Sequence, residues 1–77
     1  MTLREWLRAA QAACPHLDRF DLEHLLARRL DKGRAHLLAH LDDALPEALQ
    51  TQLEKDIARL SAHEPLQYVL GEAWFMD

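Results

Sequence analysis

Residues that favour strands are almost absent from this chain. Among 77 residues only Thr2, Thr51, Ile57 and Val69 are β-branched, against 16 leucines and 12 alanines. β-Branched side chains lose rotamer freedom in a helix and pack well on a pleated surface, whereas Leu, Ala, Glu, Arg and Gln enter helices at low cost. The balance predicts an all-α fold before any periodicity is read. The length allows one small domain, in which about 60% of the unfolded surface is buried and the core is marginal.

Helix boundaries are written in the caps. Thr2-Leu3-Arg4-Glu5 matches a capping box, with the Thr hydroxyl and the Glu carboxylate each reaching the other residue's amide. Leu3, Trp6, Leu7, Ala10, Ala13 and Cys14 then share one helical stripe, and Pro15 ends it. A second helix is expected from Asp18, with Leu22, Leu25, Leu26 and Leu30 buried and Glu23, Arg28 and Arg29 off the stripe. Lys32-Gly33 is the expected stop, glycine taking the left-handed cap. A short third helix covers Arg34 to Leu41, with Leu37, Leu38 and Leu41 inward. Pro46 suits the first position of a fourth helix, whose apolar face is Ala48, Leu49, Leu53, Ile57 and Leu60. Glu64-Pro65 opens a fifth helix that Gly71 closes. The product is a compact bundle of four to five short helices. Trp74-Phe75-Met76 reads as the start of a strand or linker at the C-terminus.

Several functions are disfavoured at this stage. The domain is too small to hold both a nucleotide-sized cofactor pocket and a substrate site. Its net charge of -4 opposes nonspecific nucleic-acid binding, which needs a basic face. A single cysteine, Cys14, excludes an internal disulfide and a cysteine-based zinc site, and suits a reducing, cytoplasmic setting. No apolar run approaches the roughly 18–20 residues that cross a bilayer. The charges of Arg4, Glu5 and Arg8 are unlike a signal peptide.

Few residues carry chemistry. His36 and His40 stand four apart and share a helix face, a spacing that suits zinc, but no third ligand is placed beside them. Solvent-facing histidines are the plainer reading. Cys14 sits at a helix C-terminus, where the dipole disfavours a thiolate, so it reads as core filler. Trp6 has core spacing. Two glycines make no phosphate loop, and Ser61, the sole serine, lies mid-helix with no triad around it. Arg28, Arg29, Lys32 and Arg34 gather cations at a helix–helix corner, a local basic patch suited to an acidic partner or simply to water.

Four stretches resemble one family. They are Trp6-Leu7-Arg8-Ala9-Ala10, Asp21-Leu22-Glu23-His24-Leu25-Leu26, Lys32-Gly33-Arg34 with Leu38-Ala39-His40, and Glu64-Pro65-Leu66-Gln67-Tyr68-Val69-Leu70-Gly71. Their order and spacing resemble the N-terminal helical domain of the HemK/PrmC family of peptide chain release factor glutamine methyltransferases. The resemblance implies a parent enzyme that uses S-adenosylmethionine to methylate the GGQ glutamine of class 1 release factors. It implies residues 1–71 as a helical substrate-recognition domain and 72–77 as the start of a linker to an α/β catalytic domain. The family's glycine-rich cofactor loop and N-P-P-Y motif have no counterpart here, so no catalytic, cofactor-binding or metal residue carries over. The implied partners are a class 1 release factor and the enzyme's own catalytic domain, with no membrane and no direct nucleic acid. Arg28, Arg29, Lys32 and Arg34 are the candidate contacts to the release factor. Two other readings compete: a stand-alone helical interaction module that uses the C-terminal aromatics, and a small metal-binding regulator that uses His36 and His40.

Overall fold

The computed structural model describes residues 1–71. Five helices follow in order: α1 (Leu3–Ala13), α2 (Arg19–Leu30), α3 (Arg34–Ala39), α4 (Glu47–Ser61) and α5 (Leu66–Leu70). No sheet forms among the described residues; Thr2 and Ala44 make one isolated antiparallel bridge. The all-α expectation holds, while the strand or linker expected at Trp74-Phe75-Met76 lies outside the described residues. Among the described residues no helix is long and apolar enough to cross a membrane.

The start of α1 shows how the chain closes on itself. The first four amides of a helix lack intrahelical partners. Here the Leu3 and Arg4 amides donate to the carbonyls of Asp43 and Leu41, at 3.0 and 2.9 Å. The Glu5 amide donates to Thr2 Oγ1 at 3.1 Å, and the Trp6 amide to the Thr2 carbonyl at 3.0 Å. Glu5 Oε1 in turn accepts from the Thr2 amide at 2.7 Å, completing the capping box. The connection from α3 to α4 is thereby fastened to the N-terminus of α1.

α2 is the centre of the bundle and packs against each of the other four helices. Leu22, Leu25 and Leu26 are fully enclosed, and Ala27 nearly so. They meet Leu3, Trp6, Leu7, Ala10 and Cys14 from α1 and its end, Leu37 from α3, Leu53 and Leu60 from α4, and Val69 from α5. Leu45, just before Pro46, joins this core.

The structure corrects several local expectations. The left-handed residue that ends α2 is Asp31 (φ 60°, ψ 41°), not glycine. Gly33 is extended and caps the N-terminus of α3 (φ −78°, ψ 164°). The stop therefore comes two residues earlier, as a Schellman turn in which the Lys32 amide donates to the Ala27 carbonyl at 3.0 Å. An aspartate tolerates this conformation better than most side chains. Pro46 is the N-cap of α4 rather than its first helical residue. Ala13, Leu38 and Ala48, expected inward, are exposed. α3 is only six residues long and offers the core one face, through Leu37. Ala13 lies at the edge of its stripe. Glu23, expected off the buried stripe, is 4% exposed, because α3 covers a second face of α2.

Candidate functional site

The basic corner is built by the end of α2. Arg28 and Arg29 occupy its last turn, where the unpaired carbonyls favour cations. The Schellman turn at Asp31 then reverses the backbone, so that Arg28, Asp31, Lys32 and Gly33 line a shallow cavity of about 230 Å³. Arg28 and Lys32 are exposed there. The Asp31 carboxylate stands among them, so the corner is less cationic than its arginines and lysine suggest.

The other two expected contacts point elsewhere. Arg34 donates from Nε to Glu23 Oε1 at 2.9 Å and lies 4.8 Å above the ring of exposed Phe20. Glu23 also accepts from Arg19 Nε at 2.9 Å, so one nearly buried carboxylate answers two guanidinium groups. Arg29 turns away from the corner. Its Nε and Nη2 donate to Asp56 Oδ2 and Oδ1 at 2.7 and 2.9 Å, and Nη2 also donates to the Val69 carbonyl at 3.1 Å. The structure thus splits the four residues into two groups. Arg28 and Lys32 line the corner cavity, while Arg29 and Arg34 reach the carboxylates of Asp56 and Glu23.

Asp56 was not singled out in the sequence. It follows Lys55 and precedes Ile57, and only the arrival of Arg29 from α2 reveals it as a buried site. Gln52 Nε2 completes its shell at 3.0 Å. A periodicity argument assigns such an aspartate to the solvated face of α4.

A second concavity, of about 500 Å³, lies where the α1–α2 and α4–α5 turns meet. His16, His24 and His63 line it with Asp21, Glu64 and Gln67. The His16 and His63 ring centroids are 4.3 Å apart. His63 adopts a left-handed backbone (φ 67°) after α4. Its amide donates to the Leu60 carbonyl at 2.9 Å. These histidines are 47 positions apart in sequence, and no local pattern announces their meeting. The carboxylate of Glu64 holds the Arg59 guanidinium charged, raising it above its ordinary value chiefly through their hydrogen bond.

The remaining candidates settle into plain roles. His36 and His40 are exposed and stacked with ring centroids 4.2 Å apart, and His40 Nδ1 lies 3.0 Å from Asp43 Oδ2. Among the described residues no group of three or more His, Cys, Asp or Glu is placed to hold a metal ion. Cys14 is fully buried, its Sγ 3.5 Å from Ser61 Oγ. Trp6 packs in the core.

Comparison with curated proteins and with solved structures gives no match. A sequence model of one family does match, and it spans residues 2–71. Its limits coincide with the capping box of Thr2 at one end and the left-handed Gly71 that closes α5 at the other. The chain therefore belongs to the PrmC N-terminal domain family.

Proposed function

We propose that this chain is the recognition domain of an S-adenosylmethionine-dependent methyltransferase that modifies the GGQ glutamine of class 1 peptide chain release factors in the cytoplasm. The observation that carries the proposal is the family match over residues 2–71. The domain's part is to bind. Contacts remote from the reacting centre raise kcat/KM by holding the substrate in register while a separate catalytic domain does the chemistry.

The described residues are not fitted to hold S-adenosylmethionine. Gly33 caps a helix and Gly71 ends one, so neither belongs to a glycine-rich loop. The concavity of about 500 Å³ at the junction of two turns is lined by imidazole, carboxylate and amide groups together with Leu17, Pro65 and Leu66. On this reading the cofactor is held by the catalytic domain, and no residue here is given a role toward it.

The α2–α3 corner is the proposed contact surface, with Lys32 and Arg28 reaching toward acidic groups on the release factor. Exposed charges at such a rim act through long-range attraction, which accelerates encounter and fades with salt. The test is steady-state kinetics of the complete enzyme carrying Lys32→Glu, which leaves the Arg29–Asp56 and Arg34–Glu23 pairs intact. At low salt the substitution should raise KM for the release factor several-fold while kcat holds. Unchanged kinetics at low salt would remove the corner from the contact surface.

A further inference from the structure

We propose that Arg29 is a positioning residue that sets the direction in which α5 hands the backbone on at Gly71, and so the orientation of the recognition domain toward the domain that follows. This rests on the reading of the chain as one part of a methyltransferase.

The argument begins with α5 itself. Five residues are far too few to hold a helix alone. Its position depends on what the rest of the bundle offers it. Val69 supplies one buried side chain, and Leu66 and Leu70 are partly covered. The Gln67 and Tyr68 carbonyls accept from the Gly71 amide, so the last carbonyls of α5, beginning with Val69, are the ones left without a partner inside the helix. Arg29 Nη2 donates to one of them, that of Val69, at 3.1 Å. A cation at a helix C-terminus is also favoured by the dipole.

What distinguishes this cap is how firmly its donor is held. Arg29 is clamped by two parallel bonds to Asp56, a carboxylate with no exposure, and Gln52 holds the same carboxylate from one turn away. Gln52 and Asp56 belong to α4, Arg29 to α2 and Val69 to α5. A single chain of hydrogen bonds therefore fixes the last turn of α5 against two longer helices. The planar fork of arginine can serve carboxylate and carbonyl together, which the point charge of lysine cannot. α5 is followed directly by Gly71, whose left-handed backbone (φ 74°) closes the helix. A tilt of α5 would redirect the backbone at Gly71.

The test uses the double substitution Arg29→Met with Asp56→Leu, which replaces the ion pair by apolar side chains of similar volume and so separates anchoring from burial of an unpaired charge. In the 77-residue chain, hydrogen exchange of the Val69 and Gly71 amides should quicken about tenfold, as expected for loss of a charge-assisted bond, while the Leu25 and Leu26 amides in α2 keep their wild-type rates. In the complete enzyme, the same pair should lower kcat/KM for an intact release factor and leave the rate on a short peptide bearing the target glutamine unchanged. Should the double variant not fold, Arg29→Lys reads the same contrast. Unaltered α5 exchange would overturn the anchor, and loosened α5 with unaltered kinetics would overturn the positioning role. A wild-type enzyme inactive on release factors would instead overturn the functional reading, and the positioning role with it, while the exchange experiment still reports on the anchor.

Discussion

Arg29 and Asp56, 27 positions apart in sequence, meet as a bidentate pair at 2.7 and 2.9 Å, with the carboxylate wholly enclosed. An unpaired charge left in such a place is far costlier than the pair itself is favourable. Asp56→Ala should therefore destabilise the domain by about 3 kcal/mol. The apolar double replacement should restore most of that loss. Urea denaturation of both variants measures the difference, and a double variant no more stable than Asp56→Ala would show that packing, not charge, dominates there.

The capping box makes α1 sensitive to acid. The backbone amide of Thr2 is the main cause that holds the Glu5 carboxyl below its ordinary value near 4.5, with the Thr2 hydroxyl and nearby positive charge assisting. A carboxylate with a depressed folded value adds stability that is complete above its unfolded value and vanishes as pH falls through the folded one. The Glu5 contribution should thus be present at neutral pH and disappear below about 4.5. Glu5→Gln should flatten this part of the pH–stability curve. A curve identical to wild type below pH 5 would contradict the assignment.

Thr2→Ala removes the other arm of the same box. It leaves the Glu5 amide without its acceptor, so thermal denaturation should show a loss of about 1 kcal/mol, typical of a lost N-cap. No loss would mean that the carbonyls of Leu41 and Asp43 suffice to close the first turn.

The two glycines should answer differently to alanine. At Gly33 the backbone is extended and a Cβ would meet nothing within 4 Å. The poorer N-cap and the stiffer unfolded chain oppose each other at similar size, so Gly33→Ala should change stability by no more than about 0.5 kcal/mol. At Gly71 the left-handed backbone penalises any side chain, and Gly71→Ala should cost about 1 kcal/mol. Equal effects at the two positions would refute the placement of the α2 stop at Asp31.

Local chemistry was legible in the sequence and long-range pairing was not. Scarce β-branching gave the class, and the capping box, Pro15, Pro65 and Gly71 gave helix limits close to those observed. The stripe Leu22, Leu25 and Leu26 identified the core face of α2. Sequence reading failed where a helix has more than two kinds of neighbour. α2 is covered on several sides, so Glu23 and Arg29, which lie off the leucine stripe, are each drawn into an ion pair. Asp31 took the left-handed cap because a Schellman turn needs the conformation, which aspartate tolerates, and not the glycine two residues on. At the corner, sequence proximity gathered four cations, but the structure turns Arg29 inward onto Asp56, sets Arg34 against Glu23, and places Arg28 and Lys32 along the corner cavity. The histidine-lined concavity joins two turns far apart in the chain, which no spacing rule connects.

The most direct test of the central claim is binding of this 77-residue chain to an intact class 1 release factor, followed by calorimetry at low and at high salt. A recognition domain that uses the α2–α3 corner should bind saturably, weaken as salt rises, and lose affinity on Lys32→Glu while keeping its wild-type melting temperature. Absence of binding at millimolar concentrations and low salt would contradict the claim.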